Sequence, residues 1–165
     1  MTKKSNPTIT DIAEAIGFQL TALTIYFLES NIVGIPKRYD NAKNLPLNKY
    51  GSSKFCKFKV SGVDLNHGGI YVFVVNGEVK YVGKTNQTLE KRFSANGYGS
   101  ISPRNCFKGG QSTNCKLNAQ MNNWYNNKDK IEIYITTDKL SETQINTLED
   151  SLLATFNFAL NTQNN

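Results

Sequence analysis

The chain has 165 residues and a formal charge of +6, a length that suits one domain with little room for a second independent core. The basic balance makes a polyanion the expected partner, without separating DNA from RNA or an acidic membrane surface. Three cysteines at Cys56, Cys106 and Cys115 show no C-x-x-C spacing, so neither a disulfide framework nor a zinc site is indicated, and a single histidine rules out a multi-histidine metal site. No run is long and apolar enough to cross a membrane, and the N-terminus lacks the apolar core of a signal peptide, so a soluble, cytoplasmic protein is expected.

In chain order, Ile9 to Ser30 repeats apolar residues at Ile12, Ile16, Leu20, Leu23 and Tyr26 or Phe27, which predicts two short helices broken near Gly17. Ala13, Gly17 and Leu23 form the apolar skeleton of a helix-turn-helix, although a packing role is the simpler reading. From Gly34 to Lys59 seven basic residues stand against the single acid Asp40, with Tyr39, Tyr50, Phe55 and Phe58 between them. Such interleaving suits contacts to a nucleic-acid backbone, and Lys37, Arg38, Lys54 and Lys57 are the candidates for DNA binding. One strand is expected around 55–60 in this connector.

Ile70–Val75 and Glu78–Val82 are β-rich runs on either side of Asn76-Gly77, the preferred pair of a two-residue hairpin turn. A short helix follows over 88–94, then a polar insertion over 97–124 in which Gly109-Gly110 lacks the spacing of a P-loop. Helical spacing resumes over 116–125, and Ile131–Ile135 alternates like a third strand. Ser141 with Gln144 predicts a capping box at the start of a last helix. Ser112, Thr113, Lys116 and Asn118 open the preceding helical stretch and are candidate contacts to DNA backbone or bases. The expected division is therefore a helical and basic N-terminal extension over 1–66 and a catalytic domain over 67–165. The fold expected is α/β in the α+β sense, a small antiparallel three-stranded sheet flanked by helices.

The chemistry-bearing residues fall in the second part. Gly69-Ile70-Tyr71 and Tyr81-Val82-Gly83 sit on the two strands of the hairpin, Lys84 follows directly, Arg92 lies on the next helix, Glu149 on the last helix and Asn161 twelve residues further on. Glu149 is four residues after Ile145 and three before Leu152, so it borders the apolar stripe of its helix. A carboxylate held there needs a compensating cation, either a lysine or a metal. Arg92 offers a planar fork suited to phosphoryl oxygens.

Taken in this order, the elements resemble the GIY-YIG nucleases over residues 68–161. That resemblance implies a metal-dependent endonuclease cleaving double-stranded DNA. Glu149 would bind one Mg²⁺ or Mn²⁺ ion, Tyr71 or Tyr81 would serve as general base, Lys84 would position water, and Arg92 would neutralise the phosphorane. Asn161 would complete the set. A Type II restriction-type enzyme, with a homodimer reading a symmetric site, is the expectation within the class. The alternatives are a mobile-element or homing-type nuclease, a structure-selective repair nuclease, and a DNA-binding module that has lost catalysis. Two positions depart from the pattern: Asn96 stands where a histidine or tyrosine is usual, so that either Tyr98 takes the place or the role is missing, and no proline precedes Asn161 in Phe156-Asn157-Phe158-Ala159-Leu160.

Overall fold

A computed structural model describes residues 2–32, 45–94 and 96–161. It is a mixed α/β chain with elements in the order β1 (Lys4–Ser5), α1 (Ile9–Ile16), β2 (Leu20–Ala22), β3 (Thr24–Ile32), β4 (Phe55–Ser61), β5 (Gly69–Val75), β6 (Glu78–Thr85), α2 (Leu89–Phe93), α3 (Ser112–Asn126), β7 (Ile131–Thr136), α4 (Glu142–Thr155) and β8 (Phe156–Asn157). A 3₁₀ turn covers Pro103–Cys106. None of the described helices is long and apolar enough to cross a membrane.

Two compact units form, and they do not follow the expected boundary at residue 66. The first combines Met1–Thr24, Ser61–Glu90 and Asp129–Asn165; the second combines Ile25–Val60 and Lys91–Lys128. The first residues of the chain thus fold with the hairpin and the last helix.

In the first unit the sheet has four strands in the order β2-β7-β5-β6, where the sequence reading counted three. The extra strand is β2, which pairs antiparallel with β7 through Leu20↔Thr136, Thr21↔Ile135 and Ala22↔Tyr134. The predicted second N-terminal helix is replaced by β2 and β3, and with it goes the helix-turn-helix. Thr8 caps α1 in a box with Asp11, and Gly17 at φ 69° closes it in the left-handed region. After that stop, Thr21, Thr24, Ile25, Tyr26 and Phe27 favour extended backbone, because branched and aromatic side chains lose rotamers in a helix.

All seven residues of β5 are buried, as a central strand covered on both faces must be. One face, carrying Ile70, Val72, Val74, Val79 and Val82, packs against Ile12 and Ile16 of α1 and Ile145 and Leu152 of α4. On the opposite face α2 begins, with Leu89 Cδ1 3.6 Å from the position a Gly69 Cβ would occupy. The capping box of α4 forms as read, Ser141 Oγ accepting from the Gln144 N–H at 3.1 Å.

The second unit holds the two-stranded sheet of β3 and β4, the 3₁₀ turn and α3. Its apolar cluster is Phe55, Cys106, Phe107 and Cys115, with Leu45, Leu47 and Tyr50 against it. Four of its asparagines, Asn105, Asn114, Asn118 and Asn122, are buried, and α3 starts four residues earlier than the spacing of apolar positions suggested.

Candidate active site

The hairpin decides where the tyrosines point. Asn76 and Gly77 have φ 52° and 82°, the two positive angles of a type I′ turn. The short loop favoured by local sequence is therefore present, with Val75↔Glu78 and Val74↔Val79 paired. Beyond it the register slips by one residue, so that Phe73 faces Tyr81 and Tyr71 faces Gly83. Lys80 is the extra residue of this bulge, which returns Tyr81 to the face of Tyr71. A regular two-residue turn would set Tyr71 opposite Val82 and a three-residue loop would set it opposite Tyr81; the bulge gives neither. The two phenols nevertheless share a face, their ring centroids 6.3 Å apart, with Phe73 edge-on to both.

The motif glycines have steric reasons. A Cβ on Gly83 would lie 2.5 Å from both Cζ and Oη of Tyr71, so the buried phenol lies across the backbone of β6 where a side chain would otherwise stand. A Cβ on Gly69 would collide with the hydroxyl of Thr136, the same oxygen that accepts the Ile70 N–H at 3.0 Å. Close approach, not turn formation, is what excludes a side chain at both positions.

On the other face, Lys84 Nζ lies 3.0 Å from Glu149 Oε2, with side-chain exposures of 33% and 17%. Strand alternation puts Lys84, paired with Ile70, on the side where α4 packs. The phenols therefore do not share their face with Glu149. The ion pair and the phenol pair lie on opposite faces of β6, at neighbouring positions of its Tyr81–Lys84 stretch.

Asn161 is brought to the same stretch, in a structural part. Its Oδ1 accepts the Val82 N–H at 2.9 Å and its Nδ2 donates to the Val82 carbonyl at 2.7 Å. One side-chain amide thus makes the pair of bonds that a neighbouring strand would make. The Leu160 N–H reaches the Lys80 carbonyl at 2.9 Å and the Val79 N–H reaches Pro7 at 2.8 Å. These contacts blunt an edge strand that no other described strand pairs on that side, and they hold Tyr81 and Lys84 in register.

Arg92 lies three residues beyond Leu89, in the second unit. Its guanidinium carbon is 5.7 Å from the centre of the Tyr98 ring, and its carbonyl accepts the Tyr98 N–H at 2.8 Å. Tyr98 is 1% exposed, so the residue left to stand in for the absent histidine is a packed platform under the arginine. His67 is held by its own loop, its ring nitrogens 2.8 Å from the Gly68 carbonyl and 3.1 Å from that of Asp64.

The candidate DNA contacts divide. Lys54 and Thr113 are exposed, and Ser112 and Lys116 are half-buried. Lys57 is exposed, with Glu29 3.8 Å away. Asn118 is fully buried: its amide accepts from the Cys56 N–H and donates to the Cys56 and Tyr98 carbonyls at 2.8, 2.9 and 2.7 Å. It has nothing left for DNA. Its helical spacing relative to Leu117 and Met121 was the signal that it faces inward. Lys37 and Arg38 lie outside the described residues. Sequence reading also missed a cavity of about 590 Å³ in the second unit, lined by Asn96, Ser102, Pro103, Arg104, Asn105, Gly109, Gly110 and Gln111.

Whether a cation suits this donor set follows from its chemistry. No group of three His, Cys, Asp or Glu forms among the described residues, so a cage of several protein ligands is not on offer there. Glu149 presents a single partly accessible carboxylate. That fits a hard cation that keeps most of its waters and takes one or two carboxylates. Comparison of the chain with models of known families, with curated proteins and with solved structures finds no match.

Proposed function

We propose that the protein is a metal-dependent endonuclease of double-stranded DNA, of restriction type. The observation that carries this reading is the grouping of two phenols, a lysine and a carboxylate around four consecutive residues of one edge strand. Positions 83 and 84 present the Tyr71 phenol on one face and the Lys84–Glu149 pair on the other. In this reading the phosphodiester approaches the edge of β6 at Gly83 and Lys84, beyond the Val82 backbone that Asn161 covers.

In this reading Glu149 holds one Mg²⁺ or Mn²⁺ ion, which when bound supplies an acidified water and a Lewis acid for phosphoryl oxygens. Lys84 keeps the carboxylate aimed, and is itself a cation within reach of an incoming phosphate. Tyr71 or Tyr81 takes the proton of the attacking water; with the second phenol beside it, either can relay to the other. Gly83 gives Tyr71 its place and Asn161 fixes the backbone between them, so both are positioning residues. The neutralising role at phosphorus belongs to Arg92 only by the resemblance; in the second unit its fork is carried on Tyr98.

Incubating the protein with plasmid DNA and Mg²⁺ tests the reading. Discrete fragments are expected. A shift in mobility without cleavage would overturn it in favour of a binding module, and a smear would remove the restriction-type assignment.

A further inference from the structure

Two of the three cysteines lie together in the second unit. Cys106 ends the 3₁₀ turn and Cys115 sits in the first turns of α3, nine residues later, with their sulfurs 4.0 Å apart. They are 2% and 0% exposed, and neither is bonded to the other covalently. Backbone carbonyls orient both thiols, Cys106 towards Ser102 at 3.7 Å and Cys115 towards Asn105 at 3.2 Å.

Their environments are unequal. The Cys115 S–H directed at Cys106 draws the Cys106 thiol below its ordinary range, against the opposing effect of burial. The same contact, with burial, pushes Cys115 far above its range. Cys106 is therefore the more acidic of the two thiols and the one that passes more readily to the thiolate, the reactive form. Cys56 makes the contrast: it stands alone, and burial pushes it up to about 12.

A cavity lies beside the turn that carries Cys106. Ser102, Pro103, Arg104 and Asn105, the four residues before Cys106, line the 590 Å³ cavity. Asn105, whose carbonyl meets the Cys115 sulfur, is one of them. Neither cysteine lines that cavity, so a small neutral oxidant within it is separated from the sulfurs by the Asn105 backbone. No described acid lines it to repel an anion, and Arg104 is at its wall.

We propose that Cys106 and Cys115 form an oxidisable dithiol, a modification site for hydrogen peroxide. The Cys106 thiolate attacks one peroxide oxygen, the O–O bond breaks, and after protonation water leaves a sulfenic acid on Cys106. Cys115 sulfur then attacks that sulfur, the S–O bond breaks, and a second water departs. The net change is two thiols and one peroxide to one disulfide and two waters. The disulfide, with a sulfur separation near 2.05 Å, ties the 3₁₀ turn to α3 and reshapes the cavity wall; a dithiol reductant reverses it.

The experiment treats the full chain with stoichiometric hydrogen peroxide, then unfolds it, counts thiols and maps peptides without reduction. The thiol count is expected to fall from three to one, with a Cys106–Cys115 cross-linked peptide, and to return to three on addition of dithiothreitol. Cys115→Ser is expected to stop at a dimedone-reactive sulfenic acid on Cys106. Three unreacted thiols, loss of Cys56 in preference to the pair, or direct passage of Cys106 to sulfinic acid would each overturn the proposal. If the serine variant does not fold, the wild-type peptide map decides alone. The outcome is independent of whether the protein cuts DNA.

Discussion

The two units solve the same problem with the same device and put it to different ends. In the first, Asn161 makes two bonds to Val82 and so completes the edge of β6. In the second, Asn118 makes the same two bonds to Cys56 on β4 and adds a third to Tyr98. One amide replaces a strand residue in each case, because its carbonyl and NH₂ reproduce the spacing of a peptide group. Around Asn161 the surroundings are a continuous aliphatic sheet with charged groups at its margin. Around Asn118 they are further amides: Asn122 accepts the Asn31 N–H at 2.8 Å, and Asn114 donates to the Gln111 side chain at 3.0 Å. The first unit sets its charged pair at the margin of the sheet, and the second uses its buried amides to hold its backbone together.

That contrast is sharpest in a pair of substitutions with opposite signatures. Glu149→Gln is expected to lower plasmid cleavage by about 10²–10³-fold or more while the melting temperature stays nearly unchanged. The reason is that a partly exposed ion pair such as Lys84–Glu149 is worth only about 0.2–1 kcal/mol. Wild-type cleavage at limiting Mg²⁺ would break the assignment. Asn118→Leu should do the reverse in kind, because it removes the bonds that the amide makes to the buried N–H and C=O of Cys56 and to the Tyr98 carbonyl. A loss of about 3 kcal/mol is expected, or roughly 6–12 °C of melting temperature for a chain of this size. A variant melting within a degree or two of wild type would show that the amide network is replaceable.

Gly83→Ala lies between these two. The added methyl meets the Tyr71 phenol at 2.5 Å, and relieving that overlap costs about 1–3 kcal/mol. The displaced ring should lower cleavage more than stability. The comparison partner is Gly77→Ala, where a Cβ meets nothing within 4 Å and only the positive φ of 82° is strained. Equal activity in the two variants would mean that the place of Tyr71 does not matter.

The smallest expected effect is electrostatic and sits at the N-terminal cap. Hydrogen bonding to Lys4 first, then to the Thr8 N–H, holds the Asp11 carboxyl below its ordinary 3.8. A depressed folded-state value contributes stability that is fully present above the unfolded value and is lost as pH falls through the folded one. Melting curves should therefore show wild type above Asp11→Asn near neutrality, with the gap closing below pH 3.8. A gap independent of pH would reduce Asp11 to a neutral capping residue.

Much of the sheet unit was legible in the chain. Asn76-Gly77 dictated its own turn, Ser141 and Gln144 their own cap, and the apolar spacing of Ile145 and Leu152 set Glu149 at a boundary, because each of these depends on a few adjacent residues. The bulge at Lys80 was not legible. It arises because Val79 and Val82 must both face α1 and α4 while Tyr81 lies against Phe73, a requirement that exists only once three layers are assembled. For the same reason Leu20–Ala22 reads as helix and folds as strand: its apolar spacing fits either, and the free edge of β7 decides. Asn118 and Asn161 are polar residues whose use is fixed wholly by the backbone that comes to lie beside them. The sequence by itself determined which groups carry charge and which runs favour turn, cap or strand. Tertiary structure alone decided which face each group occupies, because a one-residue slip in pairing inverts every side chain beyond it.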